Sequence, residues 1–176
     1  MLRVIQTKSA AGAKSYYSRS DYLSEGQELV GRWGGKGAQL LGLAGEVDKE
    51  RFDQLCDNLD PRTGERLTLR TKGNRSVGYD FNFHAPKGVS MAYLLNGDER
   101  ILGAFQHSVE ETMQEVEADV LTRVRKNGAM DERVTGNLVY GGFEHFTTRE
   151  VDGEADPHLH AHRLEIGRAS CRERVC

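Results

Sequence analysis

The chain has 176 residues with a formal net charge of −3, and its 38% hydrophobic and 29% charged residues are typical of one soluble globular domain. No run of about 18 apolar residues occurs, so the sequence predicts no membrane insertion. The slightly acidic balance excludes a strong global field for nucleic acid, and any contact with DNA would depend on local basic patches. The three cysteines form no CxxC pair, which favours a reduced, intracellular protein.

The first half of the chain predicts short elements separated by loops. LRVIQT, residues 2–7, predicts a strand. The segment 31–47 is glycine-dense, and we expect a loop with a short helical piece. Asp48 is a candidate N-cap for a helix over residues 50–59, because its carboxylate can accept from the free N–H groups of the first turn. ERLTLRT, residues 65–71, is strand-like.

Residues 77–86, VGYDFNFHAP, predict a strand with two different faces. Aromatic and polar residues alternate, so we expect one face to be aromatic and buried and the other to carry polar groups. The aromatic members are Tyr79, Phe81 and Phe83, and the polar members are Asp80, Asn82 and His84.

The longest periodic segment, residues 98–128, predicts an amphipathic helix. Its apolar residues recur at steps of three and four and indicate a stripe that faces the core. The members of this stripe are Leu102, Phe105, Val109, Met113, Val116, Val120 and Val124. Gly128 is expected to end the helix. The basic residues Arg123, Arg125 and Lys126 would occupy its last turn, where they suit the helix dipole.

Two further strands are predicted after this helix. They are NLVYGGFEHF, residues 137–146, and HLHAHRL, residues 158–164. Strands, a long helix and more strands predict an α+β fold, with a central antiparallel β-sheet and flanking helices.

The stretch DPHLHAH, residues 156–162, places three histidines at every second position. On a strand, such residues share a face with Cα atoms about 6.6 Å apart, so two neighbouring imidazoles can bind one ion. His158 and His162 would be about 13 Å apart, too far to share an ion, so a further ligand must come from elsewhere. His145, at the end of the preceding strand, is the natural third ligand. Spacing alone leaves open whether the pair is His158/His160 or His160/His162, and a histidine run without metal is the alternative.

The polar segment SYYSRSDY carries three tyrosines, Tyr16, Tyr17 and Tyr22. A phenol is a poor nucleophile at neutral pH unless a base or a cation helps it. A tyrosine, a three-histidine metal site and a carboxylate such as Asp80 together suit phosphoryl transfer from a nucleic-acid backbone to a phenol. Asp80 would either accept the proton or orient a metal-binding histidine. Ordinary packing or surface exposure is the alternative for the tyrosines.

Five collinear blocks carry a resemblance to a known family. The blocks are SYY, GKGAQLLGLAGEV, GYDFNFHAPKGVS, TGNLVYGGFEHFTTRE and DPHLHAH. In this order they resemble the N-terminal relaxase domain of the TrwC/TraI (MobF) conjugative relaxases, which are HUH-type single-strand endonucleases. The resemblance implies nicking of one DNA strand at a conjugative transfer origin, a 5′-phosphotyrosyl intermediate and later strand transfer.

The resemblance implies a role for each matching catalytic residue. Tyr16 corresponds to the nicking nucleophile, and Tyr17 is its immediate neighbour. Tyr22 is similar to the second tyrosine group, which the family uses in a later strand-transfer step. Asp80 matches the aspartate that supports the nucleophile and a metal-binding histidine.

For the metal site, the resemblance selects His145, His160 and His162 and leaves His158 outside the first shell of the ion. The implied cofactor is a divalent ion, Mg²⁺ or Mn²⁺, with Zn²⁺ as the alternative. The implied partners are single-stranded origin-of-transfer DNA, relaxosome accessory proteins and secretion machinery, and the implied location is the bacterial cytoplasm.

Local basic residues are the candidates for DNA contact. The segment RTGERLTLRTKGNR carries five basic residues against one acid and suits pairing with phosphates. A solvated basic hairpin explains this segment equally well. Arg75 from this segment, together with Lys87 and Arg149, are the specific candidates.

Residues 1–164 are expected to form a partial relaxase domain, and residues 165–176 a non-native tail, because the tail lacks apolar periodicity. Three other functions stay open at this point. The chain would be a non-catalytic metal- and single-strand-binding fragment, a rolling-circle replication initiator of the same superfamily, or a metallohydrolase that acts on small substrates through a metal-bound water.

Overall fold

The computed structural model describes residues 1–18, 28–68, 77–126, 129–148 and 152–167. Within these ranges the chain forms seven strands and five helices. The strands are β1 (Leu2–Thr7), β2 (Glu28–Gly34), β3 (Gly78–His84), β4 (Leu121–Lys126), β5 (Ala129–Val134), β6 (Tyr140–Thr147) and β7 (Pro157–Ile166). The helices are α1 (Ala10–Ser18), α2 (Lys36–Leu40), α3 (Lys49–Cys56), α4 (Lys87–Asn96) and α5 (Glu99–Ala118).

Five of these strands form one antiparallel sheet in the order β1-β3-β7-β6-β2, and β4 and β5 form a separate hairpin. Helices cover both faces of the sheet. One core contains Phe52 and Leu55 of α3, and the other contains Val109 and Met113 of α5. The predicted α+β fold, with a central antiparallel sheet and flanking helices, is therefore confirmed.

Strand β7 lies between β3 and β6, so both of its edges are paired with neighbouring strands. Its histidines alternate with buried residues such as Leu159 and Ala161, whose side chains pack with the helices of the opposite face. In the register, His160 lies opposite His84 of β3 and His145 of β6. The histidine face of the sheet therefore gathers residues that are far apart in sequence.

The strand β3 is confirmed, and its two faces are confirmed in part, because Phe83 is buried and the other face carries the polar residues. Tyr79, however, is 42% exposed, whereas Asp80 and Asn82 are 6% and 4% exposed. These two polar side chains hydrogen-bond with each other, and Asp80 also with His162 of the neighbouring strand. Hydrogen bonds of this kind lower the cost of burying polar groups.

The predicted long helix was wrong in its second part. Helix α5 ends at Ala118, and the sequence from Leu121 onward forms the β4–β5 hairpin. Arg123, Arg125 and Lys126 therefore lie on β4 and not in a last helical turn. Lys126 pairs with Ala129, and Gly128 lies outside the described residues. Asn-Gly at residues 127 and 128 is a common hairpin dipeptide, which explains the end of the helical pattern.

The glycine-dense segment also forms more regular structure than predicted, because it begins inside β2 and continues into α2. Gly35 has a φ of +89°, and a side chain there would clash with the backbone carbonyl of Leu138. Glycine is therefore needed for close approach of two backbones. The predicted short helical piece is confirmed as α2, whereas residues 31–34 belong to β2 and not to a loop.

The capping prediction is confirmed, since the Asp48 carboxylate accepts from the backbone N–H of Arg51 at 2.9 Å at the start of α3. In the described part of the predicted strand 65–71, only an isolated bridge between Leu59 and Arg66 is formed. No helix among the described residues combines the length and the apolar character that a membrane crossing needs.

Candidate metal centre

Three histidine side chains converge on one face of the sheet. His160 and His162 lie on β7, and His145 lies on β6 opposite His160. One ligand nitrogen from each ring lies within 4.8 Å of the other two. Residues i and i+2 of one strand share a face, and the neighbouring strand supplies the third ring. The structure thus brings together the three histidines that the sequence resemblance assigned to one ion, and we call them the triad.

Hydrogen bonds fix which ring nitrogens of the triad can bind a metal. Nδ1 of His160 lies 2.8 Å from the carbonyl oxygen of His158, and Nδ1 of His162 lies 3.1 Å from the carboxylate of Asp80. An oxygen acceptor needs a donor, so Nδ1 carries the proton in the neutral form of both rings. Nε2 is then the nitrogen that can bind a metal.

The triad lies in an environment that favours neutral rings. Burial, together with the charge of His162, lowers the pKa of His145 to about 4. Burial also lowers the pKa of His160 to about 3, although its hydrogen bond to His158 opposes this shift. Neutral imidazole is the form that binds metal ions, so His145 and His160 are in the binding form at physiological pH.

These residues fit a divalent metal ion. Three neutral imidazoles with open coordination positions are typical of a catalytic metal site and not of a closed structural one. Nδ1 of His162 is hydrogen-bonded to the carboxylate of Asp80, and proteins commonly orient metal-binding histidines through such a carboxylate. Among the described residues, no other group of three histidine, cysteine or acidic side chains meets the same distance criterion.

Asp80 and Asn82 extend the site along β3. The Asp80 carboxylate accepts from Nδ1 of His162 at 3.1 and 3.2 Å, and the Asn82 amide donates to the same carboxylate at 3.2 Å. Asn82 was not among the residues predicted from the sequence. Its position two residues from Asp80, on the same face of one strand, is the signal that identifies it.

A second pair of histidines lies beside the triad. Nδ1 of His84 is 3.3 Å from Nε2 of His158, and the two rings are nearly parallel with centroids 5.1 Å apart. Burial lowers the pKa of both rings, and the charge of Lys87 lowers that of His158 further. His158 is not a member of the triad, and its predicted place outside the coordination sphere stays a prediction.

Helix α1 lies beside the histidine face. It lines a cavity of about 520 Å³ together with Asp80 and the histidines of β7. Tyr16 and Tyr17 belong to the last turns of α1, and Tyr22 lies outside the described residues. The backbone that carries the two predicted nucleophile positions thus belongs to the same helix that borders the metal centre.

One of the three predicted DNA contacts lies near this cavity. Lys87 is the first residue of α4, and its ammonium group donates to the carbonyl of Pro157 at 3.1 Å. It also pairs with the exposed carboxylate of Asp156 at 3.6 Å. Arg75 and Arg149 lie outside the described residues.

An antiparallel sheet with three histidines converging on one face defines an α+β protein with a metal centre. The family model described as TrwC relaxase matches residues 10–173 of the chain. This match extends over far more than half of the sequence, and the chain belongs to the TrwC relaxase family. The resemblance predicted from the five sequence blocks is therefore confirmed.

Two relatives are described as the multifunctional conjugation protein TraI. That of Escherichia coli strain K12 is 37% identical over 165 residues, which is 93% of this chain and 9% of the relative. A second from Escherichia coli is 38% identical over 163 residues, 92% of this chain and 9% of the relative. The chain thus spans about a tenth of the length of these relatives.

Solved structures of the conjugative relaxase TrwC show the same fold. A metal-bound complex with oriT DNA has a TM-score of 0.77 at 35% identity, covering 94% of this chain and 56% of that one. A complex with a 27-mer DNA that comprises the recognition hairpin and the cleavage site has a TM-score of 0.75 at 34% identity, covering 94% and 55%.

Proposed function

We propose that this chain is part of a conjugative relaxase and that it nicks one specific strand of single-stranded DNA at a conjugative transfer origin. The observation that carries this proposal is the triad: His162 is hydrogen-bonded to Asp80, and His160 and His162 line one cavity with the tyrosine-bearing helix α1. Family membership supports it, and so do the TrwC relatives that are described as complexes with oriT DNA.

In this proposal Tyr16 is the nucleophile. Its phenolic oxygen attacks the phosphorus, the bond from phosphorus to the 3′ oxygen breaks, and the 3′ end leaves as a hydroxyl. The phosphorus stays on the 5′ end as a phosphotyrosyl ester, so one phosphoester bond replaces another and the strand can be rejoined. Tyr17 is the neighbouring phenol, and Tyr22 serves the later strand transfer.

The metal ion, when bound, stabilises the negative charge that develops on the phosphate oxygens. His145, His160 and His162 would hold it through ring nitrogens. The Asp80 carboxylate contacts both a triad ring and Asn82. These contacts support a role in orienting the histidine, rather than a role as the base that accepts the proton of the phenol. A divalent ion is indicated, and we propose Mg²⁺ or Mn²⁺, with Zn²⁺ as the alternative.

DNA contacts, partners and location complete the proposal. Lys87 borders the histidine face, and we expect its ammonium group to contact a DNA phosphate. Arg75 and Arg149 are proposed as further contacts. Single-stranded origin DNA is the partner of the site. Relaxosome accessory proteins and secretion machinery are the proposed partners of the whole protein, in the bacterial cytoplasm.

The decisive experiment is formation of a covalent adduct. The full-length protein is incubated with Mg²⁺ or Mn²⁺ and with single-stranded origin DNA that is labelled at its 3′ terminus, so that the label stays on the fragment that becomes attached to the protein. We expect an adduct that resists denaturing gel electrophoresis, that chelation abolishes, and that Tyr16→Phe reduces at least about 1,000-fold. Tyr17→Phe is the matched control, and an adduct that persists in Tyr16→Phe would remove Tyr16 from this role.

Two other functions give different outcomes. Salt-sensitive binding of single strands without any cleavage would favour a non-catalytic metal- and DNA-binding unit. Cleavage at a replication origin, and not at a transfer origin, would favour a rolling-circle replication initiator of the same superfamily. The contacts of the triad suit both, so the choice of DNA decides between them.

A further inference from the structure

Five of the six histidines of the chain lie together on one face of the sheet, although the triad uses only three. The remaining two, His84 and His158, form a pair on the outer side of His160. The ring centroids of His158 and His160 are 4.6 Å apart, and those of His84 and His160 are 5.9 Å apart. No step of the proposed strand transfer needs this pair.

The pair has the spacing of two ligands on one ion. Two metal–imidazole bonds of about 2.0–2.1 Å at a tetrahedral angle place the nitrogens about 3.3–3.4 Å apart. Nδ1 of His84 and Nε2 of His158 are 3.3 Å apart. At this distance one ring donates to the other, so at least one of the two nitrogens is an unprotonated acceptor.

We propose that His84 and His158 form a second metal-binding site, selective for ions that prefer imidazole nitrogen, such as Zn²⁺, Ni²⁺ or Cu²⁺. Both rings line the same cavity as His160 and His162, so an ion on this pair lies beside the proposed DNA site. Occupation would add positive charge within the cavity. The outer ion is therefore a second point of attachment for a DNA phosphate.

The outer site should be weaker than the triad for two reasons. It offers two protein ligands where the triad offers three. Lys87 on one side and Arg3 of β1 on the other bring positive charge near the pair, and Asp156 offsets only the charge of Lys87. Mg²⁺ and Mn²⁺, which prefer oxygen ligands, should not occupy it.

The test is the number of ions bound by the metal-free chain. Ni²⁺ or Zn²⁺ is titrated by calorimetry and in competition with a coloured chelator. We expect two equivalents per wild-type chain, the second at least about tenfold weaker because it has fewer ligands. His84→Phe and His158→Phe, which keep an aromatic ring but remove the nitrogens, should each bind one equivalent. His107→Gln, at the exposed histidine of α5, is the matched control and should bind two.

The complementary variant is His145→Asn, which reduces the triad to two ligands and should weaken the tighter ion while leaving the affinity of the weaker one unchanged. A wild-type chain that binds one equivalent would overturn the proposal, and so would two equivalents retained in both phenylalanine variants. Circular dichroism of each variant shows whether it is folded, and the two independent pair variants guard against loss of one by misfolding. These readouts need no DNA, so the second site can fail or hold independently of the proposed nicking activity.

Discussion

The two faces of β6 and β7 both carry buried polar side chains, but they satisfy them in different ways. On one face, Arg163 donates to the Glu144 carboxylate at 3.1 Å, and Gln106 of α5 donates to the same carboxylate at 2.8 Å. On the other face, His160 and His162 use Nδ1 for acceptors within the protein. Their Nε2 atoms converge with a nitrogen of His145.

The sheet therefore has one face whose polar residues stabilise the fold and another whose polar residues are available to bind a metal ion. On the Arg163–Glu144 face the two opposite charges form an ion pair, so removing one partner leaves an uncompensated buried charge. The histidine face is held in place by hydrogen bonds but directs its remaining nitrogens to a common point. We therefore expect substitutions on the first face to change folding and those on the second to change metal binding.

The largest effect is expected for Arg163→Met. It leaves the largely buried Glu144 carboxylate with the Gln106 amide as its remaining hydrogen-bond donor among the described residues, and breaking such a pair costs about 3–5 kcal/mol in the free energy of unfolding. Chemical denaturation of the metal-free chain measures this loss. Adding Glu144→Gln should recover part of it, because the unpaired charge is then gone. A loss below about 1 kcal/mol would show that this face is not the closed network described above.

On the histidine face, Asp80→Asn should weaken metal binding by about 10–100-fold, the range found when a carboxylate partner of a metal-binding histidine is replaced. The substitution keeps the shape of the side chain but removes its charge. Titration of Mn²⁺ measures the affinity, and denaturation of the metal-free chain should change by much less than in Arg163→Met. Equal affinity in the variant and the wild type would contradict the orienting role of Asp80.

Asn82→Leu should have a smaller effect of the same kind. It removes the amide that donates to Asp80 while keeping a side chain of similar size, so the carboxylate loses one of its hydrogen bonds. We expect Mn²⁺ affinity to fall by roughly tenfold or less, since the direct contact of Asp80 with His162 is retained. Tyr79→Phe, at an exposed position of the same strand, is the matched control. A loss equal to that of Asp80→Asn would mean that Asn82 acts in its own right.

A further prediction concerns the pH dependence of the stability of the metal-free chain. An unfolded histidine has a pKa near 6.5, whereas burial lowers the pKa of His145 to about 4 and that of His160 to about 3. Below pH 6.5 these histidines bind protons in the unfolded chain but stay neutral in the folded chain. The free energy of unfolding therefore falls from pH 6.5 towards pH 4. Urea denaturation with a chelator measures this, and the fall should be shallower in His160→Asn. If the free energy of unfolding of the wild type and of His160→Asn fell equally with pH, the assigned shift of the His160 pKa would be contradicted.

The strand of alternating histidines could be predicted because the geometry of a strand is local. Residues His160 and His162 share a face whatever the rest of the fold does, and His145 follows from the short connection to the preceding strand. The resemblance then selected this pair over His158 and His160. The structure brings the same three rings together.

The contributions of Asn82 and His84 of β3 could not be predicted, because they depend on the register between strands about 80 residues apart. That register places Asn82 opposite His162 and His84 opposite His160. Nothing local to the sequence fixes this register. Asp80 of the same strand was predicted, because the resemblance to the family assigned it.

The prediction of the boundary between α5 and β4 was wrong for a different reason. Val116, Val120 and Val124 are four residues apart, a step that suits one face of a helix. Residues four apart also share a face on a strand, so this spacing cannot tell the two apart. The Asn-Gly dipeptide at residues 127 and 128 was the better guide.

The most direct test of the central claim is to locate the ion itself. Crystals of the chain are soaked in Mn²⁺, and anomalous scattering at the manganese edge gives the position of the metal without assumptions about ligands. We expect one strong peak that contacts His145, His160 and Nε2 of His162, with Asp80 still hydrogen-bonded to the other nitrogen of His162. A peak at any other residues, or none at a Mn²⁺ concentration that supports DNA cleavage, would contradict the account.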